Sequence, residues 1–350
     1  MKRHLLAILA ILLGASTLNA YSILPKKPQI QAEPIPGILF PHGQTLDNPA
    51  YLIGVSYLGG AAGQLERRVA TSGVLPVRSL SKVPSGKIIT APSSWTNGFQ
   101  IDICGSTAGV GSNSFGFNYS LLSSNSSSNT TSSPTSNPNI LPSFALNNST
   151  GATSIVASVT SNYNMPSLQD AIFTYSRSSI VNNFISVMVL TGLHGFCLNH
   201  KLNASYEDAS ANTTSFSMQE VTFGAGPLVG FSSTKRILES FALRGTFFAS
   251  APLSNHSLTQ SDLYVSGDVP SYGYNTKSVN QLRGHIVAHL DLEAIWRAEF
   301  LGGSCLEFIL AWHVKQYINQ SYLTAMSNNQ NAPPSTVQVN VLKAGFSFIF

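Results

Sequence analysis

The chain has 350 residues, of which 43% are apolar and only 10% are charged, and its formal net charge is +4. A soluble globular domain has about 25% charged residues, so this composition argues against a soluble enzyme or binding domain. The basic residues are scattered without a Lys/Arg cluster, which argues against nucleic-acid binding.

The first twenty residues have the pattern of a secretory signal peptide. A basic start at Lys2 and Arg3 is followed by an apolar run at residues 5–13 and by mostly small or polar residues up to Ala20. That order is typical of a cleaved signal, and the run is too short for a membrane anchor. We predict a signal peptide over residues 1–20 and a periplasmic N-terminal segment over residues 21–49.

The rest of the chain lacks an apolar run long enough for a membrane-spanning helix, which needs about 20 residues. The best stretch, residues 184–198, is interrupted by Ser186, Gly192 and His194. Lipid satisfies no backbone hydrogen bonds, so a closed β-barrel is the other way to cross a membrane. We therefore predict an all-β fold, a transmembrane antiparallel up-and-down β-barrel, over residues 50–350.

Ten segments are candidate barrel strands, since barrel strands have about ten residues that alternate between lipid-facing and lumen-facing side chains. The patterns are weaker upstream, and Pro227 indicates a bulge in the sixth segment. A further hairpin at residues 151–161 would raise the number of strands to twelve or more. In chain order the candidates are residues 50–58, 98–105, 114–122, 168–177, 184–202, 221–230, 240–250, 285–300, 305–315 and 337–350.

The clearest alternation lies at residues 285–300 and 305–315. Apolar and polar residues alternate there with a period of two, whereas a helix would need 3.6. The intervening Leu-Gly-Gly-Ser at residues 301–304 is a turn, so the two segments form a hairpin. Such strands have one face suited to lipid and one suited to a polar lumen.

The alternation assigns side chains to the two faces of the barrel. The predicted lipid-facing residues are Phe241, Leu243, Phe247, Leu290, Leu292, Trp296, Leu310, Trp312, Phe346, Phe348 and Phe350. The predicted lumen-lining residues, candidates for setting selectivity, are Arg244, His285, His289, Asp291, Glu293, Arg297, Glu299, Glu307, His313 and Lys315.

The last strand carries apolar and aromatic residues on one face and ends at Phe350. This ending is similar to the C-terminal signature of outer-membrane barrels. A soluble edge strand with it would expose several large apolar side chains to water. We therefore expect a location in the bacterial outer membrane and recognition of Phe350 by the barrel-assembly machinery.

The connections between the candidate strands alternate between short and long, as periplasmic turns and external loops do. Residues 123–149 are almost wholly Ser, Asn, Thr and Pro, so we predict a mobile external loop there. The short connections are residues 301–304, 232–237, 178–183 and 105–113, and the long ones are residues 319–336, 250–280, 203–214, 123–167 and 59–97.

A barrel of ten to twelve strands has a narrow interior, and its charged side chains have two interpretations. They can line a polar passage and bias which small solutes pass, as charged rings do in pores. Alternatively, they pair across strands and fill the interior. The sequence leaves both open.

No metal or cofactor site is predicted. His285 and His289 are four residues apart on one strand, about 13 Å at about 3.3 Å per residue, so they cannot share an ion. A site that adds His313 from the neighbouring strand stays open. The three cysteines are too few for a disulfide scaffold; Cys104 and Cys305 are placed on the lumen side and Cys197 on the lipid side.

The chain contains no Gly-x-Ser-x-Gly elbow, His-Glu-x-x-His motif or phosphate-binding loop, and we do not predict an enzyme. A lipid-modifying membrane enzyme that assembles Ser and His from separate strands is a weaker alternative.

The ordered motifs of the C-terminal half resemble a known family. The blocks Gly192-Leu193-His194-Gly195-Phe196 and Phe223-Gly224-Ala225-Gly226-Pro227-Leu228-Val229-Gly230 resemble the Gly-Leu-Arg-Gly and Gly-x-Gly-Pro-x-x-Gly blocks of the Legionella-type major outer membrane proteins, which are related to the chlamydial ones. His289-Leu290-Asp291-Leu292, Ala311-Trp312-His313 and Tyr317-Ile318-Asn319-Gln320 follow in the family's order. The resemblance covers residues 98–350 and is sharpest after Leu168; His194 stands where the family commonly has Arg.

The resemblance implies an abundant surface barrel that acts as a porin, an envelope structural protein and an antigen or adhesin. We expect passive diffusion of small hydrophilic solutes through the barrel. Its expected partners are outer-membrane lipid and, as one possibility, further copies of the chain in a homo-oligomer. The alternative is a closed barrel whose external loops act in adhesion or envelope structure. The family pattern supplies no catalytic residues.

Overall fold

The computed structural model describes residues 50–64, 68–72, 87–90, 92–106, 113–125, 127–132, 140–142, 156–182, 185–238, 240–266, 269–300, 304–321 and 335–350. The predicted signal peptide and the N-terminal segment at residues 21–49 lie outside the described residues. No helix in the described part of the chain is long and apolar enough to span a membrane.

Sixteen strands form the described structure. In chain order they are β1 (Ala50–Gln64), β2 (Arg68–Ser72), β3 (Lys87–Thr90), β4 (Ser94–Ser106), β5 (Asn113–Ser124), β6 (Ser127–Ser132), β7 (Ile140–Pro142), β8 (Ser158–Asn182), β9 (Ile185–Glu207), β10 (Thr213–Leu238), β11 (Phe241–Ser250), β12 (Leu253–Ser266), β13 (Val269–Gly284), β14 (Ile286–Glu299), β15 (Cys305–Ser321) and β16 (Ser335–Ile349).

Ten of these strands close into an antiparallel barrel, which confirms the predicted fold. Each barrel strand pairs with the next one along the chain, and β16 returns to pair with β1. The order is β1, β4, β5, β8, β9, β10, β11, β14, β15 and β16, which corresponds to the ten predicted segments. The described barrel therefore has ten strands. Of the predicted extra hairpin at residues 151–161, residues 151–155 lie outside the described residues, and Ser158 to Ser161 belong to β8.

Strand β10 changes partner on one edge at Gly226 and Pro227. Before this point it pairs with β12 and after it with β11, whereas its pairing with β9 continues without a shift. The Pro227 carbonyl accepts a hydrogen bond from Ala251 N at 3.0 Å, so the Pro227 nitrogen also faces this junction and interrupts no bond to β9. The predicted bulge in β10 is wrong. The irregularity is instead on the neighbouring edge, where β12 ends and β11 begins as the partner of β10.

Strands β8, β9 and β10 have 25, 23 and 26 residues, far more than the 9–11 or so that cross a bilayer. Between the level of Asp170 and the strand ends near Ile185 and Leu238, outer side chains such as Phe173, Leu193 and Val229 are apolar and exposed. We call the part of the barrel between those strand ends and the level of Asp170 the lower zone.

Beyond that level the pattern inverts. Outer positions carry Asn199, Lys201 and Gln219, whereas the inner positions carry buried apolar side chains. A polar outside and an apolar inside are typical of a sheet in water. We call this part the upper zone: Ser158–Leu168 of β8, Leu198–Glu207 of β9, Thr213–Glu220 of β10 and the β12–β13 hairpin.

The prediction of one mobile loop over residues 123–149 needs correction. Strand β5 extends to Ser124, β6 pairs with the upper zone of β8, and β7 pairs with β2. Side chains of β6 such as Asn129 and Thr130 are exposed. Composition missed the strand because the unpaired backbone edge of β8 holds β6, and a polar sequence can still form main-chain bonds.

The outer position of Leu310 leads to a first testable prediction. Leu310 is 50% exposed on the outside of the lower zone, so Leu310→Lys is expected to lower the free energy of unfolding by about 2–4 kcal/mol in lipid vesicles. Gln316→Lys is the matched control, because Gln316 is a polar residue at an outer position of the same strand, next to Lys315. The expected change is within about 0.5 kcal/mol. Urea unfolding measures both, and equal stability of Leu310→Lys and wild type would contradict the assigned facing.

Candidate functional site

A charge network fills the centre of the lower zone. The Arg244 guanidinium bonds Glu293, and Lys343 Nζ lies 3.4 Å from Glu293 Oε1 and 3.5 Å from Asp102 Oδ2. Asp102 Oδ1 also accepts a hydrogen bond from Gln100 Nε2 at 3.0 Å. Two cations thus face two carboxylates from four strands, and the network is neutral. A cavity of about 160 Å³ borders it.

A second set of inner contacts lies at the end of the barrel near Phe300. Arg297 and Glu307 face each other on neighbouring strands, with Nη2 and Oε1 2.7 Å apart. Beside them, four buried apolar side chains pack in one cluster: Leu52, Cys104, Cys305 and Ile349.

Asp170 is the centre of a third network, at the boundary between the two zones. The carboxylate is fully buried and accepts a hydrogen bond from the Lys315 ammonium and bonds from Tyr317 OH at 2.8 and 2.9 Å. Lys315 Nζ also donates to Ser120 Oγ at 2.9 Å. Because β15 and β8 lie on different walls of the barrel, these bonds cross the lumen.

His194 joins Asp170 to a serine. Its Nε2 lies 3.1 Å from Asp170 Oδ1 and its Nδ1 lies 2.7 Å from Ser250 Oγ. A Ser–His–Asp arrangement can activate a nucleophile, but the hydroxyl must be open to substrate. Ser250 is only 3% exposed, so we assign no hydrolytic role to this set.

His289 lies next to this network without hydrogen bonds. It is 1% exposed, and within the described residues neither ring nitrogen has a partner. Its ring contacts those of Phe248, His194 and His313, with centroids 4.2, 5.3 and 5.9 Å apart. His313 bonds Asp291 through Nδ1, and its Nε2 has no partner among the described residues.

The upper zone holds a separate chain of buried imidazoles around Glu220. Glu220 Oε2 lies 3.2 Å from His200 Nε2, and Oε1 lies 2.8 Å from His256 Nδ1. His256 Nε2 in turn lies 2.8 Å from His285 Nε2. Glu220 therefore gives His200 and His256 a hydrogen-bond partner each. Without it, these buried imidazoles would lie unpaired in an apolar core.

The predicted lumen residues occupy inner positions by strand alternation. Glu299 is paired with the buried Cys305 at the end of β14, and its side chain is exposed there. The other lumen residues are His285, His289, Asp291, Glu293, Arg297, Glu307, His313, Lys315 and Arg244, buried or nearly so. The predicted lipid-facing residues, from Phe241 to Phe350, lie at outer positions and are exposed or half-buried.

Sequence reasoning missed Asp102, Asp170, His194 and Lys343. Asp102 and Asp170 lie on upstream strands whose alternation is weak, and Lys343 lies on the last strand, where only the apolar face was assigned. Strict alternation of inner and outer positions along each strand would have placed all four side chains inside the barrel, because each alternates with an exposed outer residue. It would not have shown which of them meet across the lumen.

Comparisons with known proteins return likenesses of shape only. No protein-family model and no curated protein matches the chain. Among solved structures, the outer membrane protease OmpT from Escherichia coli is 11% identical with a TM-score of 0.38, over 87% of this chain and 98% of that one. A Pseudomonas aeruginosa FadL homologue is 8% identical and a mutant of the TodX monoaromatic hydrocarbon channel is 7% identical, each with a TM-score of 0.27 over 87% of this chain and 90% of theirs.

Proposed function

We propose that this chain is a bacterial outer-membrane barrel with a closed interior, which acts at the cell surface in adhesion or envelope structure. The observation that carries the proposal is that the inner side chains are paired or packed. The charges beside the cavity of the lower zone bond one another, and a buried apolar cluster lies at the level of the upper zone. Of the two interpretations that the sequence left open, we therefore favour the closed barrel over a passage for hydrophilic solutes.

The membrane location rests on the outer surface of the lower zone. Its outer positions carry exposed apolar and aromatic side chains from strand to strand, including Tyr57, Phe115, Leu193, Trp312 and Phe346. A monomeric soluble protein rarely exposes so large an apolar surface. A bilayer covers such a belt, as it does in outer-membrane barrels.

The closed state rests on how the interior charges are used. Charged rings select ions when they face a water-filled pore. Here Arg244, Glu293, Lys343 and Asp102, from four strands, bond one another inside the barrel. Their charges are neutralised by protein groups, which leaves little net field to act on a solute.

Apolar side chains at the level of the upper zone, from its own strands and from β1, β5 and β16, block the same axis. Leu58, Leu122, Leu198 and Met218 are each 0% exposed and belong to one buried cluster that also contains Val339 and Val341. Water and hydrated ions do not cross a dry apolar constriction of this kind. The outside of the zone is polar, so it suits contact with water and with external partners.

Single-channel recording on the folded protein tests the proposal. We expect no discrete conductance steps when the full chain, shown to be folded by its heat-modifiable mobility, is inserted into planar bilayers. Steps whose ion selectivity shifts in Arg244→Ala, but not in the control Glu299→Ala at an exposed position, would overturn the closed barrel in favour of a porin. Deletion of residues 127–149 then tests adhesion, since a surface role predicts weaker cell attachment with the barrel intact.

A further inference from the structure

Three side chains from three strands converge at the boundary between the zones. Asp170 of β8, His194 of β9 and His289 of β14 each offer one donor atom, and these atoms all lie within 4.8 Å of one another. All three residues are buried. Their positions are inner ones, so the barrel wall itself directs them to one point.

His289 is the member that the other interactions do not explain. A buried imidazole without a hydrogen bond is destabilising, because the polar nitrogens lose water and gain nothing. Both of its nitrogens lack a partner in the described residues, while the ring faces His194. Bound cations satisfy such orphaned nitrogens, since neutral imidazole is the commonest metal ligand among side chains.

The surrounding bonds orient the other two donors. His194 has its Nδ1 held by Ser250 Oγ at 2.7 Å, which leaves Nε2 facing Asp170. Asp170 receives Lys315 on Oδ2 and Tyr317 on both oxygens, and its Oδ1 faces His194. Outer contacts of this kind fix ligand orientation in metal sites.

We propose that Asp170, His194 and His289 form a binding site for one divalent transition-metal ion, with Zn²⁺ as the reference ion. Two imidazoles and one carboxylate suit zinc and its first-row neighbours better than Mg²⁺ or Ca²⁺, which prefer oxygen ligands. Ligand atoms around a tetrahedral zinc are about 3.4 Å apart, since each lies about 2.0–2.2 Å from the ion. The donor atoms, all within 4.8 Å of one another, are close to this spacing.

Lys315 sets the strength of the site. Its ammonium shares the Asp170 carboxylate and repels a dication in this buried environment. Lys315→Met removes that charge and keeps most of the side-chain volume. We expect Zn²⁺ to bind this variant about tenfold or more tightly than wild type, because Coulomb repulsion is strong away from water.

The measurement is equilibrium dialysis of the full chain in detergent micelles against Zn²⁺, without a polyhistidine tag. We expect one Zn²⁺ per folded chain, and Co²⁺ in its place should give visible d–d absorption bands. His289→Phe removes both nitrogens but keeps an apolar ring beside Phe248, so it should fold and lose the stoichiometric zinc. Ser250→Ala should lower the affinity about 10–100-fold through the orientation of His194.

His285→Phe is the matched control, since it makes the same exchange at another inner position next to β14. It should retain the zinc. The site is disproved if folded wild type takes up no zinc, if His289→Phe keeps it, or if His285→Phe loses it, which would place the ion in the upper histidine chain. None of these outcomes depends on whether the barrel conducts.

Discussion

Replacing Asp170 with alanine is expected to lower the free energy of unfolding of the barrel by about 3–5 kcal/mol. The reason is the Lys315 ammonium, which is 1% exposed and, among the residues that the structure describes, would keep only Ser120 as a partner. Removing one member of a buried ion pair leaves an uncompensated charge, and this loss is larger than the net value of the pair itself. Tyr317 and His194 would each lose a hydrogen bond as well.

The double variant Asp170→Ala/Lys315→Met separates charge burial from packing. With both charges absent, most of the lost stability should return, because neutral replacement of a buried pair is often nearly free of cost. Urea unfolding in detergent with a chelator present gives the coupling energy of the cycle. Asp102→Ala is the control: its carboxylate is 25% exposed, and Lys343 keeps Glu293 as a partner, so a smaller loss is expected. Equal losses at Asp102 and Asp170 would contradict the argument.

The sequence predicted the ten barrel strands because period-two alternation is a local property. A strand in lipid must place apolar groups outside, and the segments at residues 285–300 and 305–315 show this without reference to their neighbours. The inner positions of Arg244 and Glu293 and the outer position of Leu310 followed from this alternation alone.

The upper zone was missed for the same reason. Residues 158–167 have Ser, Asn and Thr at outer positions, so a search for a lipid-facing stripe read them as loop. The buried inner residues Val159, Tyr163 and Met165 do alternate with outer ones, but these outer residues are polar and suit water instead of lipid. The strands are therefore longer than predicted, because the chain leaves the bilayer without leaving the sheet.

The partners inside the lumen lay beyond sequence reasoning. Lys315 and Asp170 are 145 positions apart, and Lys343 and Asp102 are 241 apart. Which pairs meet depends on the stagger of all ten strands, since strand tilt and register together set the level of each inner residue. Local patterns place a charge inside the barrel but do not show which residues of the other strands lie at the same level along the barrel axis. The convergence of Asp170, His194 and His289 depends on these levels.

Gly192→Val is expected to destabilise the barrel by about 4 kcal/mol or more. A Cβ at Gly192 would lie 1.9 Å from the Phe173 carbonyl oxygen and 3.0 Å from Thr174 Cα on the neighbouring strand. Ordinary overpacking costs about 1–3 kcal/mol, because flexible side chains yield. Here the obstacle is the backbone of β8, which is paired with β9 along most of its length. Relief therefore requires strand pairing to break at this level.

Gly195→Val tests whether the cause is this contact or the loss of a glycine. Gly195 lies three positions along the same strand at an outer position, and the nearest atoms to a Cβ there are 3.9 and 4.0 Å away. Valine suits an outer position of the lower zone, so the change should stay within about 0.5 kcal/mol. Urea midpoints and the temperature of heat modification measure both variants. If both lose stability equally, the backbone approach at Gly192 is not what restricts this position; if only Gly192→Val does, the first glycine of the Gly-Leu-His-Gly block is a packing requirement of the closed barrel.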